Sequence, residues 1–334
     1  MAKPVTLSRR EFLWRSTTHL AAFAAAGVVC SCSQPSGPVA EGLPFRPWRI
    51  PKRILGRTGL SATILAYGGG SQFARNEDGR WEPQLERAVE MGVNLFDTAP
   101  GYQWEASMSC EERFGKILPK YRSQILLSTK IDSRDVTVAR KEFERSLKRM
   151  RTDYLDILMI HAVSAEDDPA HLQKGVYRLA QELQKQGVVK HIGFSAMQDG
   201  KVTKAMIEAL DPDVVLLTLN ATQYGEMARL ALPAAQERNI GVMAMKVMRN
   251  LVGRSAAAPE LLQYAWTLPV VASAVIGHYG MEPLEENYRL AVEFGRKGSI
   301  STVTAQELET RLRPLAGPHA LCWARPDYRD GIPA

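Results

Sequence analysis

The chain has 334 residues, of which 45% are hydrophobic and 23% charged, a composition that suffices for one large buried core. The formal charge is +6, but half of that excess lies within the first 32 residues. The remainder contains no run of basic residues interleaved with aromatic ones, which argues against nucleic acid as a partner.

The first 32 residues have the features of an export signal and are left out of the fold prediction. Ser8-Arg9-Arg10-Glu11-Phe12-Leu13 is similar to the twin-arginine export motif, and an uncharged apolar run follows from Leu20 to Cys30. That run is shorter than the roughly 20 residues with which a helix spans a bilayer. The alternative is a buried amphipathic helix that begins with two arginines. We expect the twin-arginine export machinery as a partner and a periplasmic or envelope location.

The apolar run ends in Val29-Cys30-Ser31-Cys32, which resembles a lipoprotein processing site with Cys32 as the lipidated residue. Lipidation would hold the protein at a membrane surface without spanning it, and plain cleavage nearby is the alternative. Cys110 and Cys322 are then the cysteines of the mature body. Their spacing indicates no metal or iron–sulfur site. An oxidising compartment would permit a disulfide between them, but we predict two separate, partly buried thiols.

Residues 33–50 are rich in Pro and Gly and predict a linker ahead of a folded body at residues 51–334. A β-hairpin is predicted next, with strands at Arg53–Leu55 and Ser61–Ile64 around Gly56-Arg57-Thr58-Gly59.

A regular alternation of short apolar runs and longer amphipathic stretches follows the hairpin. Helices are predicted over Pro83–Met91, Val138–Met150 and Leu172–Lys185. Continuous apolar runs separated by helices indicate parallel strands covered on both faces. The eight runs predict a closed (β/α)₈ TIM barrel; an open doubly wound sheet is the alternative, weakened because no Gly-x-Gly-x-x-Gly follows the first strand. The runs are Leu65–Tyr67, Asn94–Phe96, Ile125–Thr129, Leu155–Ile160, Ile192–Phe194, Val214–Leu219, Val242–Met245 and Ala274–Ile276.

Functional groups of such barrels cluster at the carboxyl ends of the strands. Several ionisable residues stand there, where packing alone gives no reason for them. The strand-end positions are Gly70, Ser71, Asp97, Lys130, His161, Ser195, Asn220, Lys246 and Gly277.

Four segments of the sequence resemble segments of the aldo-keto reductase family, and the resemblance covers roughly residues 52–297. Phe96-Asp97-Thr98-Ala99-Pro100-Gly101-Tyr102 is similar to the family signature, and Leu55-Gly56-Arg57-Thr58-Gly59-Leu60 to its opening hairpin. Ser128-Thr129-Lys130 and Asp156-Ile157-Leu158-Met159-Ile160-His161 resemble the strand ends that bear its other two catalytic residues. Each candidate catalytic residue, taken alone, also has a structural explanation, such as a turn cap or a core imidazole. The occurrence of all four candidates in this order along the chain favours catalysis.

The resemblance implies hydride transfer between a nicotinamide cofactor and a small carbonyl or alcohol substrate. Tyr102 would act as general acid, and the Lys130 ammonium would lower the phenol pKa from about 10. Asp97 would hold Lys130, and His161 would donate a hydrogen bond to the carbonyl oxygen. The protein contributes alignment and electrostatics.

The resemblance also implies cofactor contacts. Gly70 and Ser71 would approach the cofactor backbone, and Ser195 the nicotinamide amide. Glu286 and Asn287 would meet the adenine side at the start of the last helix, and Lys246 would reach the pyrophosphate. Gly277 comes directly after the last predicted strand and would belong to the same cofactor site. The cofactor is expected to be NADP as the family default, with NAD as the alternative.

Three departures from the family pattern stand near the nicotinamide: Ala196 for Asn, Leu216 for Gln, and Met245-Lys246 for an aromatic–Ser pair. No arginine stands near Gly277 in sequence to hold a 2′-phosphate. These departures keep a second function open, a cofactor-binding barrel with a sensing role and little turnover. A metal-dependent hydrolase built on His161 and Asp97 is a third, disfavoured because no second His and carboxylate pair has ligand spacing.

Overall fold

The computed structural model describes residues 49–105 and 107–331. The predicted export signal at residues 1–32, with Cys32, lies outside the described residues, as do residues 33–48 of the linker and residues 332–334.

Eight parallel strands close into a barrel, as the apolar runs predict. Each strand pairs with its neighbours in chain order, and the last pairs with the first through Ala274↔Leu65. Most strand residues are buried because the side chains fill the interior on one face and meet the helices on the other. The barrel strands are β3 (Leu65–Gly68), β4 (Leu95–Asp97), β5 (Leu126–Ile131), β6 (Leu155–Val163), β7 (Val189–Ala196), β8 (Val214–Thr218), β9 (Gly241–Met245) and β10 (Val271–Ile276).

An antiparallel hairpin of β1 (Lys52–Ile54) and β2 (Ser61–Thr63) precedes the barrel. It packs at the amino ends of the strands. A Cβ on Gly241, the first residue of β9, would lie 2.6 Å from Leu55 Cγ, so only glycine allows this approach. Because the hairpin covers the amino ends, the carboxyl ends remain for the functional site.

Helices surround the barrel. They are α1 (Ser71–Ala74), α2 (Trp81–Glu90), α3 (Cys110–Ile117), α4 (Val136–Met150), α5 (Pro169–Lys174), α6 (Val176–Lys185), α7 (Gly200–Leu210), α8 (Met227–Glu237), α9 (Ala258–Thr267), α10 (Met281–Lys297) and α11 (Ala305–Leu312).

Local sequence explains where several of these helices begin and end. The Asp135 side chain caps α4 by accepting from Val138 N–H, and Ser109 forms a capping box with Glu112 on α3. The single helix predicted over Leu172–Lys185 is wrong, because the chain breaks at Gly175 into α5 and α6. Gly175 adopts φ −100° and ψ −115°, outside the helical region.

Two further structural facts bear on the sequence predictions. Cys110 and Cys322 are free thiols, both buried. Among the described residues, no helix combines the length and apolar character needed to cross a bilayer.

Candidate active site

A buried ion pair joins the ends of two neighbouring strands. Lys130 Nζ donates hydrogen bonds of 2.7 Å to Asp97 Oδ2 and 2.7 Å to the Thr98 carbonyl oxygen. The other Asp97 oxygen accepts from the Ser128 hydroxyl at 2.9 Å. The Lys130 side chain has no exposed surface, so its charge requires these partners. The pair is fixed because Asp97 ends β4 and lies opposite Ser128 on β5.

Tyr102 lies over this pair on the loop that follows β4. Its N–H donates to the Ala99 carbonyl and its carbonyl accepts from Cys110 N–H, which ties the loop to the start of α3. Lys130 Nζ lies 5.0 Å from the centre of the Tyr102 ring. The Tyr102 hydroxyl is 3.3 Å from His161 Nε2. The structure therefore brings the four predicted catalytic residues together at one rim of the barrel.

A β-bulge directs His161 toward Tyr102. The register between β6 and β7 shifts between Ile160 and Val163, and Ala162 adopts a positive φ of 50°. The Ala162 N–H donates to the Ser195 hydroxyl at 2.8 Å. Ser195 thus holds the backbone beside the imidazole.

Asp132 holds the His161 ring, and Arg134 holds its backbone. The Asp132 carboxylate hydrogen-bonds to His161 Nδ1, and the Arg134 guanidinium donates to the His161 carbonyl at 2.9 Å. Burial lowers the pKa of His161, but hydrogen bonds to Asp132 and Asp330 outweigh it, and the net pKa is raised. A proton on Nδ1 is held by Asp132, which leaves Nε2 to face Tyr102.

The C-terminal segment covers the catalytic groups. The Tyr102 hydroxyl donates to Asp330 Oδ2 at 2.6 Å, and the same oxygen lies 3.2 Å from His161 Nε2. The other oxygen, Oδ1, pairs with the Lys246 ammonium. A Cβ on Gly331 would lie 1.9 Å from Tyr102 Cδ1, so this residue is pressed against the ring. Tyr102 is only 5% exposed as a result.

This segment opposes the effect expected of Lys130 on Tyr102. The lowering of the phenol pKa by Lys130 stays a prediction, and the net pKa of Tyr102 is raised well above its usual value. Burial is the largest cause, and the Asp330 and Asp97 charges add to it. A phenolate next to the Asp330 carboxylate would be disfavoured by like-charge repulsion.

A cavity of about 580 Å³ extends from the catalytic groups to α10. It also contains Arg249, whose guanidinium donates to the Ser71 hydroxyl and lies 5.5 Å from the centre of the Tyr328 ring. Of the predicted cofactor residues, Ser195 is not part of the lining. Those that line it are Gly70, Ser71, Lys246, Gly277, Glu286 and Asn287.

The chemistry of this lining fits a dinucleotide. Arg249 supplies positive charge suited to phosphates, and Gly70 leaves that wall without a side chain, with the Tyr102 ring 3.4 Å from where a Cβ would lie. Glu286 and Asn287 are expected at the start of the last helix, and this is wrong on two points. They lie in the second turn of α10, and α10 is not the last helix because α11 follows it.

Three residues of the site are not among those predicted from the sequence. Asp132 stands two positions beyond Lys130, so the strand-end rule could have included it. Arg249 follows Lys246 by three positions and is remote in sequence from Gly277, the position near which an arginine for the 2′-phosphate is expected. Asp330 carries no local signal, because only the folded chain brings a C-terminal segment onto Tyr102.

The chain belongs to the aldo/keto reductase family, whose profile matches residues 65–257. It is an NAD(P)H-dependent oxidoreductase of that family. Both statements agree with the resemblance seen in the sequence.

Similar proteins extend over most of the chain. L-galactose dehydrogenase from Arabidopsis thaliana is 24% identical over 308 residues, which cover 80% of this chain and 96% of that protein. A putative methylglyoxal reductase from Salmonella typhi is 29% identical over 62% of this chain and 79% of its own length. A solved structure of a putative aldo-keto reductase from Pseudomonas aeruginosa superposes with a TM-score of 0.61 at 25% identity, covering 72% of this chain and 95% of that one.

The side chains described do not assemble a metal centre: residues 49–105 and 107–331 contain no group of three or more His, Cys, Asp or Glu arranged to hold an ion.

Proposed function

We propose that this protein reduces a small carbonyl compound, with Tyr102 as proton donor and His161, Lys130 and Asp97 as its supporting groups. The observation that supports the proposal is the position of Asp330 Oδ2, which contacts both the Tyr102 hydroxyl and His161 Nε2. A carbonyl oxygen in that position would accept two hydrogen bonds.

The bound nicotinamide cofactor supplies the hydride. As negative charge develops on the substrate oxygen, Tyr102 transfers its proton there. His161, which donates from Nε2 when both of its ring nitrogens are protonated, stabilises the charge. Lys130, held by Asp97 and the Thr98 carbonyl, stabilises the phenolate that the transfer leaves. In the reverse direction, the same groups accept a proton from an alcohol.

We also propose NADP as the cofactor, with Arg249 as the cation for its phosphates. Arg249 lines the same cavity as Gly277 and Asn287. A fluorescence titration with NADPH and NADH tests this proposal. We expect tighter NADPH binding, and Arg249→Met should weaken NADPH binding more than NADH binding. Equal affinities would contradict the NADP assignment, and tighter NADH binding would favour NAD.

Reduction is tested with the full chain by following NADPH oxidation with a panel of neutral aldehydes. Tyr102→Phe should lower kcat by a factor on the order of 10² to 10⁴ while sparing NADPH binding, because it removes only the proton donor. Tyr121→Phe, on the surface turn after α3, is the control. A fully active Tyr102→Phe enzyme would contradict the assignment.

The same experiment separates turnover from a sensing role. Since Asp330 fills the carbonyl position and Tyr102 is nearly inaccessible, a cofactor-binding barrel with little turnover is the second candidate. A protein that binds NADPH and oxidises none of it with any aldehyde of the panel would favour that candidate.

We further propose export of the folded protein through the twin-arginine machinery to the periplasm or to a lipid anchor at Cys32. The support is Ser8-Arg9-Arg10-Glu11-Phe12-Leu13 and the apolar run that follows it. Changing Arg9 and Arg10 together to Lys should retain the protein in the cytoplasm. Cys32→Ser should release an anchored protein into the soluble fraction. If the fractionation does not change, cleavage of the signal without lipidation is favoured.

A further inference from the structure

Lys246 places a buried positive charge next to the catalytic groups. It follows β9 directly, adopts a positive φ of 57°, and its side chain is 10% exposed. Its Nζ donates to the Tyr328 hydroxyl at 2.7 Å and pairs with Asp330. Among the ion pairs of the described residues, Asp330 is the carboxylate partner of Lys246.

The Asp330 carboxylate spans from Lys246 to Tyr102. One oxygen accepts from the Tyr102 hydroxyl and lies beside His161, and the other pairs with Lys246. The rim therefore binds two oxygens of one small anion at once. One of these oxygens occupies the position in which the proposed function requires the substrate carbonyl.

A substrate that takes this position must displace Asp330 from Tyr102. Displacement also separates Asp330 from Lys246, since a single carboxylate makes both contacts. Lys246 would then be a buried ammonium without its counter-ion, with the Arg249 charge nearby to add repulsion. A neutral aldehyde leaves that charge unpaired, whereas a substrate with its own carboxylate replaces Asp330 at both ends.

We propose that the substrates of this site are 2-oxo acids, whose keto oxygen binds Tyr102 and His161 while the adjacent carboxylate pairs with Lys246. The inference rests on the proposed carbonyl reduction. The keto and carboxylate oxygens are separated by one carbon more than those of Asp330, and the flexible Lys246 stem accommodates the difference.

The reaction then balances as follows. The 2-oxo acid gains a hydride at C2, and the π electrons of its C=O bond move to the oxygen, which takes the Tyr102 proton. The product is a 2-hydroxy acid, the reduced nicotinamide cofactor is oxidised, and the carboxylate is unchanged. Lys246 acts by binding the substrate and transfers no proton.

The test compares an acid with its own neutral ester. For pyruvate against methyl pyruvate, and phenylglyoxylate against its methyl ester, kcat/KM of the wild-type full chain should favour the acid by at least about tenfold. Lys246→Met should lower this acid-to-ester ratio by at least about tenfold. Effects on the cofactor or on proton transfer are common to both substrates and cancel in the ratio.

Two variants serve as controls. Lys246→Arg keeps the charge and should keep the preference for the acid, while Lys297→Met removes an exposed lysine near the end of α10 and should leave the ratio unchanged. Lys246→Gln replaces the Met variant if the latter does not fold. Equal kcat/KM for acid and ester in the wild type, or equal loss of both in Lys246→Met, would overturn the proposal.

A binding measurement separates this inference from the proposed function. Oxamate resembles a 2-oxo acid and is not reduced, so calorimetry reports its binding without turnover. We expect wild-type binding that Lys246→Met weakens at least about tenfold. If neutral aldehydes are reduced but oxamate does not bind, the substrate class is wrong and the reduction stands. If oxamate binds through Lys246 and no carbonyl is reduced, the anion site stands and the reduction is wrong.

Discussion

Asp330 accepts the hydrogen bond of the Tyr102 hydroxyl at 2.6 Å, although 228 positions separate the two residues in the sequence. The chain thereby places its own carboxylate where the proposed reaction places the carbonyl oxygen. Asp330 is well held there: burial raises its pKa, but Lys246 and His161 outweigh burial and hold the pKa well below its usual value. Substrate and Asp330 cannot occupy this position together.

Asp330→Asn should therefore ease substrate entry. The neutral amide loses the ion pair with Lys246, so the open form becomes more populated and KM for a carbonyl substrate should fall at least about threefold. Steady-state kinetics measure the change. Asp327→Asn, exposed on the same segment, is the matched control. A KM unaltered by Asp330→Asn would show that the C-terminal segment does not compete with substrate.

The Asp132–His161 contact leads to a prediction about the pKa of His161 and the pH dependence of stability. Asp132→Asn removes a negative partner from Nδ1, so the pKa of His161 should fall from its raised value, which ¹³C or ¹⁵N NMR of the imidazole detects. A raised histidine pKa contributes stability that is full below the unfolded pKa of about 6.5 and is lost as pH rises through the folded pKa. The stability deficit of Asp132→Asn should therefore be larger at pH 6 than at pH 9. Asp153→Asn, on the surface before β6, serves as the control, and an unchanged His161 titration would contradict the role.

Much of the barrel was predictable because its strands are continuous apolar runs, a pattern that depends on local sequence. Asp97, Lys130 and His161 could be predicted because each stands at or just after a predicted strand end, and Tyr102 because the segment Phe96–Tyr102 resembles the family signature. The break at Gly175 was missed because Leu172–Lys185 keeps a helical apolar pattern across it. Only the tertiary fold shows Asp330 against Tyr102.

Ser195 stands at a predicted strand end, and the family resemblance implies that it contacts the nicotinamide amide. That contact stays a prediction. In the structure, the Ser195 hydroxyl accepts from the Ala162 N–H at the bulge beside His161. Sequence periodicity gives no sign of a bulge, because the extra residue changes the strand register and not the apolar pattern.

Ser195→Ala should therefore lower kcat by a factor on the order of ten through a displaced His161, with little change in NADPH affinity. Single-turnover kinetics and a cofactor titration distinguish the two effects. A variant with normal kcat at saturating cofactor but weakened NADPH binding would instead favour the contact with the nicotinamide amide.

The burial of His278 leads to a prediction about how stability depends on pH. It is buried against Tyr67, with ring centres 5.4 Å apart, and neither ring nitrogen has a hydrogen-bond partner in the part of the chain that the structure describes. Burial lowers the pKa of His278 to about 3. The unfolded chain binds this proton below about pH 6.5, so stability falls with pH from there down to the folded pKa.

His278→Leu should remove this dependence. From pH 7.5 to 5.0, the wild type should lose about 2 kcal/mol of unfolding free energy more than the variant does. Urea denaturation at the two pH values measures this difference. Parallel losses in both proteins would show that His278 is protonated, or paired, in the folded state.

Tyr102 and Lys130 are proposed to act as one proton-delivering unit, and a double-mutant cycle on the single-turnover rate of hydride transfer tests this directly. We predict that Tyr102→Phe slows transfer by a factor on the order of 10² or more, and that adding Lys130→Met slows it little further, because the ammonium acts through the phenol. Losses that multiply across the two substitutions, or a Tyr102→Phe protein that transfers hydride at the wild-type rate, would contradict the account.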